Sequence, residues 1–245
     1  MNGTAPPVSI HLDAVTWQAN GREVLCDVSI QAHSSRIGVV GRNGSGKSTL
    51  ARLMAGLLRP DRGRLGIDGI DPARDRKAAL RTLGILFQNP EHQIIFPTVC
   101  EEIAFGLRQF GQSRDQAGDE VRRILARFDR AHWHDAPVSA LSQGQKHLVC
   151  MMAVLAMRPR LLILDEPFAG LDIPTRRQLQ RQLDRAGVAV VHISHDPADL
   201  DGYDRLFWLD RGRIAAQGPA SEVLPRFTAE MNRLGELDDL ADLAG

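Results

Sequence analysis

The chain has 245 residues, 43% of them hydrophobic, which is enough for one large α/β domain with a substantial core. Its 30 basic and 30 acidic residues give a formal net charge of zero, which argues against a dominant nucleic-acid surface, so we expect no nucleic-acid partner. The N-terminal residues lack the basic and apolar regions of a signal peptide, and no apolar run approaches the roughly 18 residues of a membrane span, so we expect a cytosolic protein.

The first predicted elements are two antiparallel strands, 8–18 and 24–32, in which apolar and polar residues alternate on either side of a turn. An apolar strand at 36–40 leads into the glycine-rich sequence GRNGSGKST, and residues 48–58 are predicted to form a helix with one apolar face. A strand followed by a glycine-rich loop and a helix is the context that a phosphate-binding loop requires.

The loop at 41–49 has the spacing G-x-x-x-x-G-K-[ST], which a chain of this length shows by chance at roughly the 1% level. Glycines let successive backbone N–H groups approach anionic oxygens, and the following helix N-terminus adds its positive dipole end. We expect Lys47 to reach the β- and γ-phosphates of a nucleotide and the Ser48 hydroxyl to bind Mg²⁺. The alternative is an ordinary glycine-rich turn. The predicted nucleotide-binding residues are Gly41, Asn43, Gly44, Ser45, Gly46, Lys47, Ser48 and Thr49.

The middle of the chain is predicted to be mainly helical. After a short strand between two turns and a charged helical stretch, a further strand ends at Gln88 and a turn-rich loop follows. Helices are then predicted at 99–110, over the arginine-rich residues 114–135, and from the sequence LSQGQ to Pro159. We therefore interpret residues 90–158 as a helical subdomain inserted into an α/β core.

A fully apolar strand, LLILD, ends on two carboxylates, Asp165 and Glu166. The carboxyl ends of parallel strands are where α/β sheets build their sites. Asp165 is suited to a direct or water-mediated Mg²⁺ contact and Glu166 to activating a water as general base, while the alternative is a pair of solvated loop carboxylates. The remaining predicted elements are a helix at 174–186, a strand at 188–195, a hairpin around 210–212, and two short helical stretches after 219, with a helical tail at about 228–245.

Five motifs in this order and spacing resemble the nucleotide-binding domain of ATP-binding cassette (ABC) proteins: GRNGSGKST, Gln88, LSQGQ at 141–145, LLILDEP, and SHD at 194–196. The resemblance covers the chain to about residue 227 and implies a single domain, 1–245, with an α/β P-loop NTPase fold. That fold has a RecA-like core, an N-terminal antiparallel β subdomain and the inserted helical subdomain. The resemblance further implies ATP and Mg²⁺ as ligands, and a second ATPase subunit that is expected to be a second copy of this chain.

In such a pair the two domains face each other head to tail, and each ATP is held by the P-loop of one domain and the LSQGQ signature of the other. Ser142, Gly144 and Gln145 are therefore expected to contact ATP bound to the partner, with a serine N-cap as the local alternative. Gln143 departs from the commoner glycine of the family.

The resemblance also assigns roles to three single residues. Gln88 matches the glutamine that senses Mg²⁺ and the attacking water, His195 the switch histidine near the γ-phosphate, and Asp172 the loop that crosses between the two domains. Ala19 lies where the family usually places an aromatic residue that stacks on adenine. Trp17, two residues earlier on the same strand face, either substitutes for that aromatic or belongs to the core.

Residues 88–106 resemble the ATPases of energy-coupling factor (ECF) transporters, the uptake systems for vitamins and for cobalt or nickel. This resemblance implies that a transmembrane coupling subunit docks on residues 89–106 and that a membrane substrate-binding subunit is contacted only indirectly. The protein is then expected to be peripheral, at the cytoplasmic face of the cell membrane. The docking residues singled out are the apolar Ile94, Ile95 and Phe96 and the acidic Glu101 and Glu102, which would suit basic residues of that subunit. The alternative is a loop that is tucked back onto its own subdomain.

Biotin is the favoured substrate, because the short form with a single ATPase resembles the biotin system, and cobalt or nickel are the alternatives. Another ABC transporter would use the same motifs. A soluble cassette ATPase acting on DNA or ribosomes is a further alternative, but such chains insert a long coiled coil or carry two cassettes, and neither feature is found in this sequence.

Overall fold

The structure is a computed structural model and describes residues 5–236. Four short 3₁₀ turns, at Pro90–His92, Ala131–Trp133, Val138–Ala140 and Pro197–Leu200, lie among its strands and helices. The strands and helices of this range are β1 (Val8–Ala19), β2 (Arg22–Ser34), β3 (Arg36–Val40), α1 (Lys47–Met54), β4 (Arg62–Ile67), α2 (Arg76–Thr82), β5 (Leu83–Leu86), α3 (Val99–Gln109), α4 (Arg114–Arg127), α5 (Gln143–Ala156), β6 (Leu161–Asp165), α6 (Ile173–Ala186), β7 (Ala189–Ser194), β8 (Arg205–Asp210), β9 (Arg213–Gly218) and α7 (Ala220–Gly235).

A six-stranded sheet in the order β5-β6-β7-β3-β8-β9 forms the centre of the molecule. The first five strands are parallel, and β9 pairs antiparallel with β8 at the edge. Strands β6 and β7 are buried along their whole length, as expected for apolar strands in a parallel sheet with both faces covered. Because β6, β7 and β3 are neighbours, the residues that follow them meet at one edge of this sheet.

The predicted N-terminal pair of antiparallel strands is confirmed, and β4 joins it to give a second sheet in the order β2-β1-β4. Asn20 and Gly21 connect β1 to β2 with φ of 50° and 76°, the left-handed values that a tight hairpin turn needs. The inward side chains of this sheet share one core cluster with α1 and with one face of the central sheet. The second sheet therefore packs beside the strand that carries the P-loop.

The region between β5 and β6 is helical, as predicted, and its three helices α3, α4 and α5 pack around a core that continues onto the other face of the central sheet. Helix α4 ends at Arg127 instead of continuing to 135. Asp129 has a left-handed φ of 56°, which is incompatible with a continuing helix, and a 3₁₀ turn at Ala131–Trp133 follows.

Two other helices are shorter than predicted at one end. Helix α1 ends at Met54 instead of 58, because Gly56 takes a left-handed φ of 70° and begins a turn. The charged stretch that favours a helix from residue 72 becomes helical only at Arg76. There the Asp75 carboxylate accepts a hydrogen bond of 2.9 Å from the N–H of Ala78, which is an N-cap.

The prediction of two short helical stretches after residue 219 is wrong, because one helix, α7, spans Ala220–Gly235. Pro225 lies inside it, but Val223 and Phe227 are buried on one face, and the ring of Phe227 packs edge-on against Trp208 of β8 at 5.6 Å. This packing outweighs the local penalty of the proline. The acidic tail lies outside the described residues, and no helix within them is long and apolar enough to cross a lipid bilayer.

Candidate active site

The loop after β3 depends on three glycines for two different reasons. Gly44 and Gly46 have φ of 80° and 99°, which side chains other than glycine rarely adopt. Gly41 has no such conformation, but a Cβ atom there would lie 2.2 Å from the carbonyl oxygen of Leu209 in β8. No atom lies within 4 Å of the position a Cβ would take at Gly44, so the surface above this residue is open to a ligand.

Lys47 is the first residue of α1 and is only 4% exposed. Its Nζ donates to the carbonyl oxygens of Gly41 and Arg42 at 2.9 and 2.8 Å, and lies 3.3 Å from Oε1 of Glu166. Burial lowers the pKa of Lys47, while the neighbouring carboxylates oppose that change. The ammonium group is therefore fixed at the point where the P-loop meets the carboxylates that follow β6.

Asp165, the last residue of β6, is 4% exposed, and its Oδ1 accepts a hydrogen bond of 2.9 Å from Oγ of Ser48. Burial raises the pKa of Asp165, and the hydrogen bond from Ser48 partly offsets that rise. A hydroxyl and a carboxylate oxygen at this distance are the hard oxygen ligands that Mg²⁺ prefers. The two residues predicted as metal ligands on the P-loop and on β6 are therefore in direct contact.

Glu166 lies between the ammonium group of Lys47 and the imidazole ring of His195. Its Oε1 faces Lys47, and its Oε2 lies 2.9 Å from Nδ1 of His195. The backbone of Glu166 has a left-handed φ of 50° and is held by a hydrogen bond of 2.9 Å from its N–H to the carbonyl of Ile193. This unusual backbone conformation directs the carboxylate toward the P-loop instead of along the strand.

These groups line one cleft of about 440 Å³ at the edge of the central sheet. Gln88 lies on its wall, although neither Asp165 nor Gly41 is among the lining residues. Val24, which the sequence did not single out, lines it as well, because β2 passes beside the P-loop. The complete lining is Val24, Asn43, Gly44, Gly46, Lys47, Ser48, Thr49, Gln88, Glu166 and His195.

The sequence analysis also missed the residues that hold the segment around His195. Oγ of the buried Ser194 donates to Asp199 at 2.8 Å and accepts from the N–H of Asp196 at 3.0 Å. Arg176 of α6 contacts both carboxylates, at 2.7 Å to Asp199 and 2.6 Å to Asp196. Burial alone would raise the pKa of Asp196, but hydrogen bonds from Arg176 and from the Ala198 N–H keep it below its ordinary value. The only sign of this network in the sequence was the pair of acidic residues Asp196 and Asp199, three positions apart.

The signature residues lie at the start of α5 and are absent from the lining of this cleft. Ser142 caps the helix by accepting from the Gln145 N–H at 3.3 Å, and the Gln145 side chain accepts from the Ser142 N–H at 2.8 Å. This is a capping box, so the predicted local alternative is present. A Cβ at Gly144 would lie 2.3 Å from Cγ2 of Thr175, which explains why glycine is needed at that contact between α5 and α6.

Asp172 and Trp17 are also absent from the cleft lining in the described part of the chain. Asp172 caps α6 by accepting from the Thr175 N–H at 2.8 Å, and the hydrogen bonds from Thr175 lower the pKa of this exposed carboxylate. Trp17 is partly buried, pairs with Leu25 across β1 and β2, and packs against the core of the second sheet. No Phe, Tyr or Trp of the described residues lines the cleft, so the residue that would stack on adenine is not identified.

The segment predicted to dock a membrane subunit exposes only part of its apolar surface. Ile95 is 69% exposed, whereas Ile94 packs on the helical core and Phe96 packs on Phe105 at 5.1 Å. Glu102 is buried, and its Oε2 accepts from the N–H groups of Ile95 and Phe96 at 2.8 and 2.9 Å. The expectation that Glu102 meets basic residues of another subunit is therefore wrong, because its carboxylate holds this loop.

Comparison with known proteins agrees with this geometry. A family profile described as ABC transporter matches residues 26–169. The biotin transport ATP-binding protein BioM of Rhodobacter capsulatus is 47% identical over 226 residues, covering 92% of this chain and 97% of that protein. The energy-coupling factor transporter ATP-binding protein EcfA2 of Symbiobacterium thermophilum is 39% identical over 232 residues, covering 89% of this chain and 77% of that protein. The solved structure of cbiO1 from Clostridium perfringens, part of the ABC transporter complex cbiONQ, matches with a TM-score of 0.76 at 28% identity, covering 96% of this chain and 98% of that one.

Proposed function

This chain belongs to the ABC transporter family and is an ATPase coupled to transport, and from that premise we propose that it energises an importer of the ECF type. The favoured substrate is biotin, and cobalt or nickel are the alternatives. The 47% identity to BioM over 92% of this chain supports biotin, and the similarity to EcfA2 supports the ECF type.

One observation carries the ATPase role. The side chains of Lys47, Glu166 and His195 converge in one cleft with the open backbone of the P-loop, and Ser48 and Asp165 meet beside it. Phosphate binding needs inward backbone N–H groups and a fixed cation, and hydrolysis needs a carboxylate within reach of a water at the γ-phosphate. The cleft supplies all of these groups from three adjacent strand ends.

We assign ATP binding to the P-loop, with Lys47 at the β- and γ-phosphates. Ser48 and Asp165, together with Gln88 on the cleft wall, are the residues suited to hold Mg²⁺, because their oxygens are hard ligands and the first two already touch. When bound, Mg²⁺ neutralises charge on the phosphate oxygens. The buried Lys47 ammonium and the positive end of α1 act on the same oxygens, so the chain's own groups add to that electrostatic stabilisation.

Glu166 is proposed as the general base and His195 as the residue that orients it and contacts the γ-phosphate. The contact of 2.9 Å between Nδ1 of His195 and Oε2 of Glu166 fixes the direction of the carboxylate. Ser194, Asp199 and Arg176 hold the backbone around His195, so the histidine is attached to α6. Helix α6 is capped by Asp172, the residue that the family resemblance assigns to the contact between the two domains.

The second ATPase subunit is proposed to be another copy of this chain. Ser142, Gly144, Gln145 and Asp172 are absent from the lining of the P-loop cleft, and Ser142 caps a helix whose N-terminus is exposed. A capped helix N-terminus is a ready anion site, because its remaining N–H groups and its dipole favour negative charge. The signature is then free to meet the γ-phosphate of ATP held by the P-loop of the partner.

The transmembrane coupling subunit is proposed to dock on the surface around Ile95, at the cytoplasmic face of the membrane. Ile95 and Phe105 are exposed apolar side chains of this region. Phe105 lines a groove of about 830 Å³ between α3 and α4 together with Phe96, the residue that follows Ile95, and with Arg108. A single exposed isoleucine beside a groove of this kind is suited to an amphipathic helix of the membrane subunit.

The experiment that tests the transported substrate uses membrane vesicles containing this chain together with the membrane subunits of its transporter. ATP is supplied at the cytoplasmic face, and uptake of labelled biotin, cobalt and nickel is measured side by side. The proposal predicts uptake of biotin that depends on ATP and is absent with the Glu166→Gln variant. ATP-dependent uptake of a metal ion instead of biotin would transfer the chain to the cobalt or nickel systems, and ATP-dependent uptake of none of the three would contradict all three substrate assignments.

A further inference from the structure

A buried histidine joins the signature helix to the backbone of Gln88. His147 lies in the second turn of α5, four residues after Gln143, and is 6% exposed. Its Nε2 is 3.2 Å from the carbonyl oxygen of Gln88, and its Nδ1 is 3.0 Å from the carbonyl oxygen of Gln143. One imidazole ring therefore touches Gln143 of the signature at one nitrogen and the backbone of Gln88 at the other.

Both partners of the ring are carbonyl oxygens, which only accept hydrogen bonds, and a neutral imidazole has a single N–H, so it can donate to only one of them. The Gln143 carbonyl already belongs to the α-helical ladder, whereas the Gln88 carbonyl lies beyond the end of β5 and has no strand partner there. We therefore assign the N–H to Nε2, so that its hydrogen bond to the Gln88 carbonyl joins the two segments.

A second contact joins the same two elements. Nζ of Lys146 pairs with Oε1 of Glu91 in the 3₁₀ turn that follows Gln88. Lys146 and His147 are consecutive residues, so the first turns of α5 are attached to both Gln88 and the turn at Pro90–His92. This 3₁₀ turn is followed by the loop that carries Ile95, the exposed residue of the proposed docking surface.

We propose that His147 is a positioning residue that makes the signature helix and the Gln88 segment, residues 88–93, move as one unit. This inference rests on the proposed ATPase function, since the Gln88 side chain lines the nucleotide cleft while the signature serves the partner's ATP. Displacement of Gln88 on nucleotide binding is then transmitted through the ring of His147 to helix α5, which carries the signature. The two sites of a dimer are then mechanically connected through each chain as well as across the interface.

The first test measures the connection itself, by hydrogen exchange of the purified chain. His147→Phe retains a buried ring but has no donor, and His147→Gln retains an N–H donor. The reporters are the amides of His92, Gln93 and Ile94, which donate within the turn to Asn89 and Pro90. We expect faster exchange of these amides in His147→Phe and protection close to wild type in His147→Gln. Equal exchange in wild type and His147→Phe would overturn the proposal, as would an equal loss of protection in both variants.

The second test measures ATP turnover of the same three proteins, assembled with the membrane subunits. Loss of one buried hydrogen bond that positions the reacting groups is expected to lower kcat roughly tenfold in His147→Phe with KM for ATP unchanged, and His147→Gln is expected to restore it. An active wild type with unchanged kcat in His147→Phe would overturn this inference alone. An inactive wild type would instead overturn the ATPase function on which it rests.

Discussion

At the scale of single residues, the cleft is built from side chains and backbone held in unfavourable states. Glu166 has a left-handed φ of 50°, a conformation that costs a residue other than glycine about 1–3 kcal/mol. Lys47 and Asp165 are both buried. Burial lowers the pKa of Lys47 and raises the pKa of Asp165, so it favours the neutral form of each side chain. The hydrogen bond from Ser48 compensates part of this cost for Asp165. The hydrogen bond to the Gly41 carbonyl and the ion pair with Glu166 do the same for Lys47.

His192 gives a testable consequence of burial outside the cleft. It is fully buried in β7, and burial lowers its pKa to about 3, with the charges of Arg176 and Arg36 adding to the effect. The unfolded chain binds a proton at this residue below its ordinary pKa of 6.5, whereas the folded chain does not. The contribution of His192 to stability is therefore complete above pH 6.5 and is lost progressively as the pH falls toward about 3.

We predict that this single group costs about 2 kcal/mol of unfolding free energy between pH 6.5 and pH 5, at 1.4 kcal/mol per pH unit. His192→Gln removes the titration and should show a smaller loss of stability over that range, measured by urea unfolding at both pH values. His11→Gln, at an exposed position of β1, is the matched control and should follow the wild type. The same pH dependence in His192→Gln as in wild type would contradict the assignment.

At the scale of elements, the segment proposed to dock the membrane subunit, residues 89–106, combines an internal support with one strongly exposed side chain. The carboxylate of Glu102 in α3 accepts two backbone N–H groups and fixes the loop before the helix, and Ile95 projects from that loop. From the sequence, Ile95 and Glu102 were both expected to lie on the surface that meets the membrane subunit. Only the structure separates their roles, because burial depends on how the loop folds back over α3.

Glu102→Ala is predicted to destabilise the chain by about 2 kcal/mol, because two buried N–H groups lose a charged acceptor. Glu102→Gln keeps one acceptor oxygen and should cost less. Chemical denaturation of the three proteins measures both differences. A Glu102→Ala variant as stable as the wild type would mean that the loop finds other acceptors.

Ile95→Asp is predicted to leave stability and ATP affinity unchanged, since the side chain is 69% exposed and absent from the cleft lining, but to weaken co-purification with the membrane subunit. Leu80→Asp on α2, an apolar residue that is 55% exposed, is the control for the general effect of an added charge. Undiminished association of the Ile95→Asp variant would remove this surface from the docking site.

The elements that the sequence predicted well are those with a strong local signal. Apolar runs gave the strands β3, β6 and β7, and the P-loop spacing gave the loop that follows β3. The two-helix prediction for the C-terminal region failed because Pro225 is a local signal and the packing of Phe227 on Trp208 is not. Val24, Arg176 and His147 were missed for the same reason, since each reaches its partner through the tertiary fold.

At the scale of the whole molecule, the chain separates two halves of a nucleotide site. The P-loop, Glu166 and His195 line one cleft, and the signature and Asp172 cap helices outside it. In the proposed dimer, one chain supplies one half to each of two sites, and a head-to-tail pair with two-fold symmetry completes both. This arrangement predicts that activity depends on dimerisation driven by ATP.

A mixture of two defective chains tests the shared sites. Lys47→Ala damages the P-loop, and Ser142→Asp keeps the N-cap of α5 but places a negative charge where the phosphate would approach. Their heterodimer has one site with both defects and one with neither, so mixing equal amounts should recover up to about a quarter of the wild-type ATPase rate. Failure to exceed the two separate variants, with heterodimers demonstrated by differential tags, would contradict sites shared between chains.

The central claim, that this cleft hydrolyses ATP with Glu166 as general base, is tested most directly by steady-state ATP turnover and ATP affinity of wild type and Glu166→Gln. Glu166→Gln is expected to bind ATP with wild-type affinity and to lower turnover by roughly 10²–10⁴-fold, because only the proton-accepting group is lost. Glu222→Gln, an exposed carboxylate on α7, is the matched control and should retain wild-type turnover. Turnover by Glu166→Gln within a few-fold of the wild type would contradict the account.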